Sequence, residues 1–82
     1  MERKVIFKSA DDHRINIVCN GVIVGTITNY PPFNSACYYD STGCQECGYF
    51  DVPVSKIKRE FKTLYLDMPS GMFNKTLALA KA

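Results

Sequence analysis

Asn20-Gly21 lies between two β-branched runs, Ile15-Asn-Ile-Val-Cys19 and Val22-Ile-Val-Gly-Thr-Ile-Thr28. A type I′ turn needs positive φ at both central residues, and Asn-Gly accepts that conformation more readily than almost any other pair. The spacing therefore predicts a hairpin of strands 14–19 and 22–28, with Cys19 opposite Val22 and Ile17 opposite Val24. Those four side chains then share one face. Upstream, Val5 and Phe7 alternate with Lys4 and Lys8, which adds a strand and gives an antiparallel meander of three or more strands.

Tyr30-Pro-Pro-Phe33 follows. Consecutive prolines lack backbone donors and favour extended polyproline geometry, so residues 29–35 are expected to leave the sheet as a loop. Residues 36–40 read as a brief strand, Ser41-Thr-Gly43 as a turn, and residues 49–52 as a strand returning antiparallel. On this reading Cys44 and Cys47 lie in a Cys-bearing loop between the two strands.

After residue 54 the period changes. Ile57, Phe61, Leu64, Tyr65 and Met68 form a helical stripe, with Ser55 as a candidate N-cap. Residues 62–68 also alternate in the manner of a strand, but a single helix accounts for the whole segment. Pro69-Ser-Gly71 ends it. Ser70 is placed to open a last helix with Met72, Phe73, Leu77 and Ala80 turned inward. The expected fold is one α+β domain over 1–82: a small antiparallel meander, a Cys-bearing loop and one or two C-terminal helices.

An 82-residue chain builds only a small core, and domains of this size often carry a staple such as a disulfide or a metal. Three of the four cysteines, Cys37, Cys44 and Cys47, fall close together, and Cys44-Gln-Glu-Cys47 has the spacing of a zinc half-site. Zinc held by Cys37, Cys44 and Cys47, with Cys19 or His13 as fourth ligand, is one expectation. Free thiols and a disulfide are the others. Cys19 shares a face with Ile17, Val22 and Val24 and is expected in the core. A catalytic dithiol at Cys44 and Cys47 is a further alternative, but thiols of that kind usually sit at a helix N-terminus among positive charges, and here the neighbour is Glu46.

Only three apolar residues follow Met1-Glu-Arg-Lys4, too few for a signal peptide, and no run is long enough to span a membrane. The expected location is cytoplasmic, with no membrane partner. His13 is the only histidine, no phosphate-binding glycine loop or nucleophile elbow is present, and an enzyme is not expected.

Charge is unevenly placed. Residues 15–55 contain no Lys or Arg but carry Asp40, Glu46 and Asp51, together with six of the ten aromatic residues. Exposed tyrosines among carboxylates suit a protein interface. The expected function is binding: a small accessory, adaptor or inhibitor protein that contacts a partner with a basic surface through segment 30–50, using Tyr30, Phe33, Tyr38, Tyr39, Asp40, Glu46 and Tyr49. The alternative is a nucleic-acid-binding module in which Lys56, Lys58, Arg59 and Lys62 follow phosphates from one helix.

Overall fold

The computed structural model describes residues 2–82. Five strands, β1 (Val5–Ser9), β2 (Arg14–Cys19), β3 (Val22–Thr28), β4 (Phe33–Asp40) and β5 (Gly43–Phe50), precede two helices, α1 (Val54–Asp67) and α2 (Ser70–Lys81). Each strand pairs antiparallel with its sequence neighbour, so the sheet order is β1-β2-β3-β4-β5. The fold is the expected α+β meander of three or more strands, here five.

The β2–β3 hairpin turns at Asn20 (φ 49°) and Gly21 (φ 81°), the positive pair that a type I′ turn requires. Cys19 faces Val22 as expected. Ile17 does not face Val24: its partner is Gly25, and Val18 pairs with Ile23. Val24 is the extra residue of a bulge, which turns Val24 and Gly25 to the same side of the strand. Gly25 is required there, because a Cβ would lie 2.8 Å from both the Cys37 carbonyl oxygen and the Tyr38 Cβ.

Pro31-Pro32 do not carry the chain out of the sheet. They occupy a tight turn, and β4 begins at the next residue, Phe33. Thr28 is already paired with Ser35, so the missing donors of the two prolines fall where no ladder bond is needed. A two-residue connection, Ser41-Thr42, then joins β4 to β5, and Asp40 accepts from the Thr42 amide (2.8 Å) and hydroxyl (2.6 Å) to hold it.

One face of the sheet meets both helices. Ile17, Cys19, Val24, Ile27 and Ala36 from the strands pack with Ile57, Phe61, Tyr65, Met68 and Phe73 from the helices and their junction. Residues 62–68 are helical through Asp67, as the single-helix reading requires. Helix α1 starts one residue ahead of Ser55, with Pro53 as N-cap and no side-chain cap; the fixed φ of Pro53 and the half-buried Val54 set the start instead. Met68 takes an extended conformation (ψ 134°), because Pro69 disfavours helical geometry in the residue before it. In α2 Phe73 and Thr76 are buried, whereas Met72 is exposed rather than inward.

Arg3 ties the start of the chain to this layer. Its guanidinium donates to the Tyr65 carbonyl (2.9 Å) and to that of Met68, and lies 4.3 Å from the Phe73 ring centroid. Carbonyls at a helix C-terminus have no intrahelical donor, and Arg3 supplies one. No helix among the described residues is long and apolar enough to cross a membrane.

Candidate docking face and cysteine pair

Side chains alternate across a strand, so register decides which residues of 30–50 meet the helices and which meet solvent. Ala36 opposite Cys47, Asn34 opposite Tyr49 and Tyr38 opposite Gln45 lie on the helix side. Phe33 opposite Phe50, Ser35 opposite Gly48, Cys37 opposite Glu46 and Tyr39 opposite Cys44 lie on the other side. Among the described residues no element packs over that second, outer face.

The aromatic set proposed from sequence is therefore split. Tyr38 meets Phe61 edge-on at 4.8 Å and belongs to the core side. Tyr49 is half-buried on the same side and takes the Cys47 thiol on its hydroxyl at 3.2 Å. Burial first, and then the contact with Cys47, push the Tyr49 phenol above its usual range. Both drop out of the contact set because the strand pleat points them inward. Tyr30 lies beyond the end of β3, exposed but stacked on His13 at 4.3 Å. Asp40 is spent on the β4–β5 turn, where hydrogen bonds from Thr42 hold its carboxyl below the usual range.

Phe33, Tyr39 and Glu46 remain on the outer face, with two residues that the sequence reading did not select. Phe50 is 72 % exposed, the most of any large apolar side chain among the described residues, and sits directly across from Phe33, which is 56 % exposed. Gly48 carries the Phe33 ring: a Cβ on Gly48 would be 2.7 Å from its tip. Farther across the face, Ile6 and Ile23 are also exposed, with buried Val18 between them in register. The signal that finds Phe50 and Gly48 is strand parity, once β5 is taken as running through the cysteines.

The same parity dismantles the zinc set. Cys44 and Cys47 are three residues apart in a strand, so their thiols project to opposite faces; in a turn or loop the same spacing would have converged. Cys19 is fully buried in the core, where desolvation raises its thiol to about 11. His13 is held in a polar turn, its amide donating to Asp11 and Asp11 pairing with Arg14 at 2.8 Å. Among the described residues no three His, Cys, Asp or Glu side chains form a group that could hold a metal ion, and the residues do not fit a tetrahedral zinc. The structure does bring Cys37 and Cys44 together, with sulfur atoms 3.2 Å apart on the outer face and both residues exposed. That contact pushes the Cys37 thiol up, and burial and Glu46 add to the effect.

On α1, Lys56, Arg59 and Lys62 are exposed, while Lys58 is half-buried with its ammonium 5.8 Å from the Phe7 ring centroid. Glu60 interrupts the cluster. No protein-family model matches the chain, and neither the curated proteins nor the solved structures contain a significant match to it.

Proposed function

We propose that the protein is a binding module that docks another protein, one with a basic surface carrying apolar side chains, on the outer face of the β4–β5 hairpin. The observation that carries this reading is the exposed Phe33–Phe50 pair on a sheet face that no helix covers. Aromatic anchors of this size are the side chains that dominate interface energetics. Glu46 lies in the same face, exposed Asp51 follows at the end of β5, and no Lys or Arg occurs between residues 15 and 55. That charge favours a basic partner and disfavours nucleic acid on this face.

A photo-crosslinking phenylalanine analogue placed at position 50 tests the reading. Crosslinks to a basic protein that disappear with Glu46→Lys and with Phe33→Ser are the expected result. Crosslinks only to a second copy of the chain, to nucleic acid or to lipid would overturn it.

A further inference from the structure

The dithiol of this molecule is Cys37 with Cys44, not the Cys44-x-x-Cys47 motif. Both thiols are free, exposed and on the same face of adjacent strands, and their sulfur atoms are 3.2 Å apart. We propose that Cys37 and Cys44 form a reversible cross-strand disulfide by exchange with a low-molecular-weight disulfide such as glutathione disulfide. The proposal stands independently of any protein docked on the face.

The exchange takes two steps. One cysteine gives its proton to solvent, and the thiolate attacks a sulfur of the small disulfide. The S–S bond of that molecule breaks, a mixed disulfide forms, and one small thiolate leaves and is protonated. The second cysteine, deprotonated in turn, attacks the protein sulfur of the mixed disulfide and expels the second small thiol. Two protein thiols are oxidised to one disulfide and one small disulfide is reduced to two thiols.

Register defines the character of this bridge. Cys37 faces Glu46 and Tyr39 faces Cys44, so the two cysteines are diagonal neighbours. Diagonal Cα positions in an antiparallel pair lie about 7–8 Å apart, beyond the usual disulfide range of about 4.4–6.8 Å. Closing the bond therefore draws the strands together near the Ser41-Thr42 turn. Strand β5 has only β4 as a sheet neighbour, so no second ladder opposes that shift. A bridge formed under that strain is more easily reduced than a relaxed one, which makes it an exchange site rather than a structural staple. Cys47 cannot compete in the folded chain because it faces the helices.

The test is to incubate the folded chain over a series of oxidised-to-reduced glutathione ratios, quench with acid, and map the products by peptide mass. The expected product has lost two hydrogens, carries no glutathione, maps to Cys37–Cys44, and is reversed by excess reduced glutathione. In Cys37→Ser or Cys44→Ser the remaining thiol should instead retain one glutathione. In strong denaturant the shorter Cys44–Cys47 loop should become the favoured bridge. A Cys44–Cys47 bridge as the main product of the folded chain would overturn the proposal. So would separate glutathione adducts on Cys37 and Cys44, a bridge between chains, or no reaction at any ratio.

Discussion

The two faces of the sheet are made by the same five strands and carry aromatic residues in similar number, yet their rings are treated differently. On the helix side every large ring has a partner. Tyr65 is fully buried and its hydroxyl donates to the Tyr39 carbonyl at 2.6 Å; Tyr38 meets Phe61; Phe73 meets Arg3. On the outer side Phe33 and Phe50 stand across from each other in register and are largely exposed, with the Phe33 ring lying over Gly48. Burial with satisfied hydrogen bonds contributes to folding, and exposure of rings keeps a surface available to another molecule. The inner face should therefore answer to stability measurements and the outer face to binding measurements.

The largest effect should come from Phe61→Ala, which empties a buried site between α1 and Tyr38; a loss of about 3–5 kcal/mol is expected in urea unfolding. A loss under about 1 kcal/mol would mean that the helix layer is not the core. Cys19→Ser comes next, at about 1–3 kcal/mol, because a hydroxyl in that site has no partner.

Cys19 also gives the inner face a pH signature. Its folded value of about 11 lies above the ordinary thiol value of about 8.5. Between these limits the folded chain holds a proton that the unfolded chain releases, so stability is complete below about pH 8.5 and falls as pH rises toward 11. Cys19→Ala should flatten part of that decline. Alkylation should label the exposed Cys37 and Cys44 in the folded chain and Cys19 only on unfolding.

Tyr65→Phe is expected to cost about 1 kcal/mol, the usual worth of one hydrogen bond, with the helices retained by circular dichroism. The smallest change in stability belongs to the outer face. Phe50→Ser should shift unfolding by no more than about 0.5 kcal/mol while abolishing crosslinking through position 46 or 33. Lys58→Glu with Arg59→Glu provides the contrast: crosslinking should persist, and neither this variant nor the parent should be retained on DNA at low salt.

Much of this comparison could be read before any coordinates. Asn20-Gly21 specifies its turn locally, and the stripe through Ile57, Phe61 and Tyr65 has only one helical face to offer. The antiparallel pairing of residues 36–40 with 49–52 is legible, but the extension of β5 back to Gly43 is not, because Gly43-Cys-Gln-Glu-Cys-Gly48 contains none of the β-branched residues that mark a strand. Its pairing comes from β4 rather than from its own propensity. With residues 41–48 read as a loop, parity separates Tyr38 from Tyr39 but cannot sort Cys44 from Cys47. The bulge at Val24 and the reach of Arg3 to Tyr65 depend on tertiary packing, and no spacing rule signals either.

That reach of Arg3 has a consequence for the order of assembly. Every strand pairs with the strand beside it in sequence, so the sheet closes only short loops and its formation should be fast. The Arg3 bonds to Tyr65 and Met68 span 62 and 65 residues, nearly the whole chain. They cannot form until α1 has ended at Asp67 and lies across the sheet. The guanidinium acts as a late latch: it reports that both layers are in place, and it lends the helix junction a stability that neither helix has alone.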